Sequence, residues 1–128
     1  MVVGSFTSIS LSPPLVAFAT DRTSKTWLHI VEAGRFCVNV LANDQLWLCH
    51  RFSGRSENRF ESIAYRKSNR GMPIIDGVVA WIDCVVHAIH TAGDHDIVLG
   101  RVESIDTARE VPPLLFLRGS FGQFAPLP

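Results

Sequence analysis

Two short stretches of this chain gather hydroxyls and cations in patterns suited to holding a polar ligand. DRTSKT (residues 21–26) sets Arg22 and Lys25 beside Thr23, Ser24 and Thr26. It stands after the apolar run LVAFAT (15–20) and before a segment with helical spacing. A helix N-terminus presents unpaired amides and a partial positive charge, so hydroxyls and cations there complete a phosphate pocket. The same hydroxyls also serve simply as caps of a helix with solvated charges, and the residues alone leave both readings open. HRFSGR (50–55) offers Arg51 either to a phosphate or to the flank of a helix end. His95, within AGDHD (92–96), is an isolated titratable group, solvated or functional. SFTSISLSPPLV (5–16) carries hydroxyls at Ser5, Thr7, Ser8, Ser10 and Ser12. Its apolar–polar alternation breaks between Thr7 and Ser8, which marks a β-bulge or a strand bent to offer hydroxyls and amides to a ligand.

Other chemistries are excluded. The chain has no GxxxxGK[ST] loop, no GxGxxG opening a helix, no HExxH and no GxSxG. His87 and His90, three apart on a strand, point to opposite faces, so no metal site is expected. Twelve basic residues balance 12 acidic ones, without a basic run, which argues against nucleic acid and against an anionic membrane surface. The runs LVAFA and VVAWI are too short to span a bilayer. The start lacks the basic and long apolar regions of a signal peptide, and Cys37, Cys49 and Cys84 form no CxxC pair. A reduced, cytoplasmic setting with cysteines as small core residues is expected.

The elements that must position these groups follow from periodicity. At 128 residues and 47% hydrophobic, the chain is read as one domain over 1–128. LVAFAT reads as a buried strand. A helix follows, with Trp27, Ile30 and Val31 on its buried face, Thr23 or Ser24 as N-cap and Gly34 as C-terminal cap. FCVNVLA (36–42) returns to strand period with Phe36, Val38 and Val40 on one face. NDQLWLCHRF (43–52) reads as a second short helix capped by Asn43, SGRSEN (53–58) as a loop, RFESIA as a helical turn and SNRGMP (68–73) as a turn. VVAWIDCVVHAIH (78–90) is the longest strand, its apolar face formed by Val78, Ala80, Ile82, Cys84, Val86 and Ala88. AGDHD joins it to IVLGRVESI (97–105) as a long hairpin, and Pro112-Pro113 introduces a last strand, LLFLRG (114–119). Several closely spaced strands with two short helices predict a mainly β, barrel-like sheet rather than a doubly wound fold.

Taken in order, SFTSISLSPPLVAFATDRTSKTW, AGRFCVNVL, HRFSG, AGDHDIVLGRV and LLFLRG resemble the flavin reductase-like family with the FMN-binding split-barrel fold. The likeness is greatest to the reductase components of two-component flavin-dependent monooxygenases and runs from Met1 to about Gly122. It implies a six-stranded antiparallel split β-barrel with short flanking helices, working as a homodimer. Family members begin with a helix and a strand pair ahead of the position of Met1, so N-terminal elements are missing relative to the family. That leaves a truncated chain, a misassigned start or a barrel completed by the dimer partner. The implied reaction is hydride transfer from NADH or NADPH to FMN or FAD, with reduced flavin passed to a partner monooxygenase. The alternative is a non-catalytic flavin carrier or storage protein.

The resemblance also implies roles for residues. Val2, Val3, Gly4, Ser5 and Thr7 match the segment along the isoalloxazine edge, although relatives usually carry a polar side chain at Gly4 and often Thr or Ala at Val2. Ala19, Thr20 and Asp21 match the segment beside the ribityl chain and ring, and Lys25 and Thr26 match the pair that meets the flavin phosphate. Arg51 and Phe52 match a further flavin contact. His95 matches the histidine near the nicotinamide, as a positioning residue or proton donor. Arg118 and Gly119 match a pair close to the nucleotide site.

Overall fold

The apolar run 15–20 forms the middle of β2 in the computed structural model, which describes residues 1–54 and 57–128. In chain order the elements are β1 (Thr7–Leu11), β2 (Pro14–Asp21), α1 (Lys25–Ala33), β3 (Arg35–Val40), α2 (Leu46–Ser53), β4 (Tyr65–Lys67), β5 (Pro73–Ile75), β6 (Ala80–Ala92), β7 (His95–Thr107), β8 (Leu114–Leu117) and β9 (Ser120–Gln123). Five of them form one antiparallel sheet in the order β1-β2-β7-β6-β3, while β4–β5 and β8–β9 are two-stranded ribbons. That sheet has five strands where six were expected. The structure divides into two compact units: Met1, Val3–Val38 and Ile82–Ile105 in the first, and Val2, Asn39–Trp81 and Asp106–Pro128 in the second.

The first unit is built on alternation. Val16 and Phe18 of β2, Phe36 of β3, Ile82 and Cys84 of β6 and Val98 of β7 bury one face of the sheet against Trp27 of α1. Large side chains so buried each contribute about 1.5–3 kcal/mol. Phe18 meets Trp27 and Phe36 edge to face, at centroid distances of 6.2 and 5.1 Å. Gly100, opposite Val16 on β7, lets the Phe36 ring lie against the sheet, because a Cβ there would stand 2.5 Å from Phe36 Cζ. Helix α1 is capped as its sequence predicts: the Ser24 hydroxyl accepts from Trp27 N–H, and Gly34 ends the helix at φ 72°. Its buried stripe is narrower than expected, since Trp27 is buried and Ile30 partly so, but Val31 is exposed. A residue four on from Trp27 lies about 40° past it around the helix, on the side away from Ile30.

The break in the alternation of residues 5–12 is a bulge placed slightly later than the sequence indicates. Ser8 pairs with Val16 and Ser10 with Leu15, so Ile9 is the extra residue. The hairpin predicted at 92–96 is present as β6 and β7, joined by Gly93 and Asp94, with Gly93 at φ 65°.

In the second unit Leu48, Ile63, Ile75 and Val78 form a separate core, with Leu41 and Phe52 against it. Asn43 is not the cap of α2; Gln45 holds that position without a side-chain cap bond. Asn43 is engaged elsewhere, its N–H donating to Pro112 O and its Nδ2 bonded to Gln123 Oε1. Gln45 secures the approach instead, accepting from Ala42 N–H and donating to Asp76 O. The helical turn expected over RFESIA is a pair of non-helical turns, and the loop expected over 53–58 includes Arg55 and Ser56, which lie outside the described residues. The chain past Leu117 reverses rather than ending: Arg118 and Gly119, at φ 52° and 81°, form a turn into β9.

Candidate functional site

The ends of β2 and β7 and the start of α1 bring most of the predicted site residues of the first unit together. Thr7 pairs with Ala17, and extending this register by two places Ser5 opposite Ala19. Ser5 lies outside the strand, yet its hydroxyl completes the match, accepting from Ala19 N–H at 2.9 Å and donating to Ala19 O at 3.2 Å. That clasp fixes Ser5 beside β2, two residues before β1 begins. Ahead of it, Val3 packs on the core, Val2 is exposed, and a side chain at Gly4 would meet nothing within 4 Å. Thr7 is exposed, with its hydroxyl directed to the neighbouring Ser8 carbonyl. The hydroxyls of Thr20 and Ser24 both point at the Met1 thioether, at 3.6 and 3.8 Å.

Beyond Thr20 the chain turns through Asp21. Its carboxylate accepts from both the hydroxyl and the N–H of Thr23, each at 2.7 Å. The Thr23 hydroxyl and then its N–H hold the Asp21 carboxyl below its ordinary value, with a smaller contribution from His95. Asp21 pairs with His95 across the ladder, and the His95 ring is half-exposed with Nδ1 2.8 Å from Asp94 Oδ1. A carboxylate only accepts, so Nδ1 carries the proton of that bond, which leaves Nε2 as the other ring nitrogen.

Lys25 and Thr26 are the first two residues of α1. The amides of Trp27 and Leu28 are taken by the Ser24 side chain and carbonyl, so the amides of Lys25 and Thr26 lie at the open end of the helix. An ammonium, the Thr26 hydroxyl and open amides at a nine-residue helix start are a donor set with the chemistry of a phosphate site. This donor set fits the phosphate of a phosphorylated flavin.

Val2, Arg51, Phe52 and Arg118 belong to the second unit. Arg51 donates from Nη1 to Glu61 O at 2.8 Å. Phe52 meets Phe60 edge to face at 5.0 Å, and Arg118 occupies the β8–β9 turn. Sequence reasoning passed over Asp94 and Asp96. Asp96 lies opposite Thr20 in the ladder and binds Trp27 Nε1 at 2.9 Å, a role visible only once the register of β2 and β7 is set.

The family model described as flavin reductase like domain matches residues 1–125. The chain belongs to the flavin reductase-like family. It is 54% identical over 125 residues to a flavin reductase of Pseudomonas putida, covering 98% of this chain and 74% of that protein. It is 44% identical over 122 residues to the reductase subunit HsaB of a flavin-dependent monooxygenase from Rhodococcus jostii, and spans 95% of this chain and 63% of that relative. The NADH:FAD oxidoreductase of Streptomyces globisporus, solved in complex with NAD and FAD fragments, superposes with a TM-score of 0.92 at 33% identity, covering 98% of this chain and 77% of that one. The mainly β split-barrel class expected from the sequence is the class of these structural neighbours.

Proposed function

We propose that this chain is one flavin reductase-like domain that passes hydride from NADH to FMN or FAD and supplies the reduced flavin to a partner monooxygenase. The observation that carries the reading is the meeting, at one end of β2, of the open α1 start bearing Lys25 and Thr26 with the His95 turn paired to Asp21. The names of the relatives support the same chemistry, including a reductase subunit of a monooxygenase and an NADH:FAD oxidoreductase.

Bound flavin and nicotinamide supply the hydride chemistry themselves, so the protein needs no acid–base constellation for that step. The residues of the chain bind and orient. Lys25 and the amides at the helix start would hold the flavin phosphate, with Thr26 beside them. The Ser5–Ala19 clasp fixes Ser5 beside β2, and Val2, Val3, Gly4, Thr7, Ala19 and Thr20 would line the ring, as the family resemblance implies. His95 Nδ1 is bonded to Asp94 Oδ1, so Nε2 is the nitrogen that would meet the nicotinamide.

The chain is further inferred to work as a homodimer in the cytoplasm. Exposed apolar residues Ile9 and Leu11 on β1, and Leu28 and Val31 on α1, support self-association. Among the described residues Cys37, Cys49 and Cys84 form no disulfide, which supports a reducing compartment. Among the described residues no helix is long and apolar enough to cross a membrane. The deciding experiment is NADH oxidation by the purified chain with FMN and FAD compared side by side. Flavin-dependent turnover is expected. A rate equal to that of the uncatalysed mixture refutes the enzyme, and bound yellow flavin without turnover identifies a carrier.

A further inference from the structure

Arg22 stands in the phosphate-like stretch DRTSKT, but its side chain is directed elsewhere. Nη1 donates to Gly93 O at 3.4 Å, Nε faces Asp96 Oδ1 at 3.7 Å, and its backbone N–H donates to Asp94 O at 3.2 Å. All three contacts reach the β6–β7 turn or the residue just past it. The second oxygen of Asp96 accepts from Trp27 Nε1 at 2.9 Å, and the Asp96 side chain is only 14% exposed against 51% for Arg22. One carboxylate therefore joins the buried indole of α1 to the guanidinium that grips the turn, and it neutralises that guanidinium in doing so. Lys25, by contrast, has no acidic partner among the ion pairs of the described residues and stands at the open end of the helix.

We propose that Arg22 and Asp96 are positioning residues that fix the Gly93–Asp94 turn carrying His95, and that Arg22 is not a ligand of the flavin phosphate, a charge left to Lys25. This rests on the reading under Proposed function. The two cations of DRTSKT thus have separate roles, Lys25 at the flavin end and Arg22 at the nicotinamide end through the turn. A half-exposed pair contributes up to about 1 kcal/mol, so the effect on a dissociation constant is at most about fivefold.

The test compares Arg22→Ala, Asp96→Asn and Lys25→Ala. Its readouts are FMN and riboflavin titrations, the KM for NADH, and amide exchange over residues 93–96. Arg22→Ala is expected to raise the NADH KM by at most about fivefold, to speed exchange at 93–96, and to leave FMN and riboflavin affinity within about twofold of wild type. Lys25→Ala should weaken FMN but not riboflavin, which lacks the phosphate. Asp96→Asn keeps an acceptor for Trp27 and loses the charge facing Arg22, so it should reproduce the Arg22→Ala pattern and decides the matter if Arg22→Ala fails to fold. If Arg22→Ala weakens FMN more than riboflavin, Arg22 is a phosphate ligand and the proposal falls. Unchanged exchange at 93–96 in a folded variant overturns it equally. Amide exchange needs no turnover, so a wild-type chain that does not oxidise NADH refutes the enzyme reading while the positioning role is still decided.

Discussion

Replacing Gly100 by Ala inserts one methyl group where the sheet has no room for it. The new Cβ would stand 2.5 Å from Phe36 Cζ, 3.1 Å from Cε1 and 3.2 Å from Cys84 Cβ, whereas ordinary contact begins near 3.4 Å. The Phe36 ring must therefore retreat by about 0.9 Å, the difference between 3.4 and 2.5 Å. It is buried, with its partner ring Phe18 at 5.1 Å and the fully buried Cys84 on the crowded side. Overpacking of this kind costs about 1–3 kcal/mol. Loss of glycine freedom in the unfolded chain offsets about 0.4–1 kcal/mol of it. A net loss of about 1–2 kcal/mol should lower the thermal midpoint by several degrees, read by far-ultraviolet circular dichroism with urea denaturation alongside. Phe36→Leu shortens the side chain that reaches the new methyl group. The double variant should then be more stable than the sum of the two single losses predicts, by about 1 kcal/mol. Strict additivity, or a Gly100→Ala protein as stable as wild type, would refute this account of the core.

Four further outcomes are expected. Ser24→Ala removes the cap on Trp27 N–H and should cost about 1 kcal/mol in denaturant-unfolding stability while also weakening FMN, because the same helix start is the proposed phosphate site. His95→Ala should raise the NADH KM and leave flavin titrations nearly unchanged; equal loss of both would contradict its nicotinamide role. Asp44, hydrogen-bonded by Arg109, has its carboxyl held below the ordinary value. Its stabilising contribution is thus present above the unfolded value of about 3.9 and disappears as pH falls through the lower folded value, so Asp44→Asn should flatten the acid limb of a midpoint-against-pH series. Cys37 and Cys84 thiols are pushed up to about 12, chiefly by burial, so neither should be alkylated at neutral pH until the chain is denatured.

The long elements were legible in the sequence because burial enforces their periods. β2, β6 and β7 each carry an apolar buried stretch, and α1 carries both a hydroxyl cap and a terminal glycine. The ribbons were not legible. β4 is three exposed residues, Tyr-Arg-Lys, and β9 is four exposed residues, so neither has an apolar face to write into the sequence. Asn43 is chemically a good cap but is drawn to Pro112 and Gln123, far along the chain, which local pattern cannot foresee. Asp83 is fully buried on β6, where alternation alone puts a charged side chain in solvent. At the candidate site the hydroxyls and cations were visible, but their division of labour was not. Ser5 uses its hydroxyl on Ala19 and Arg22 its guanidinium on a turn 71 residues away, and both depend on strand register.

Trp27 gives the protein an optical gauge of its own ligand. Its indole is buried and fixed by the bond to Asp96, while Trp47 is half-exposed and Trp81 lies under the Arg66 guanidinium. With Trp47 and Trp81 replaced by Phe, emission would come from a rigid donor one residue from Thr26, close to where an isoalloxazine acceptor is expected to bind. Excitation energy would then pass to bound flavin with little orientational averaging, and the loss and return of that emission would time flavin arrival and release within a single turnover.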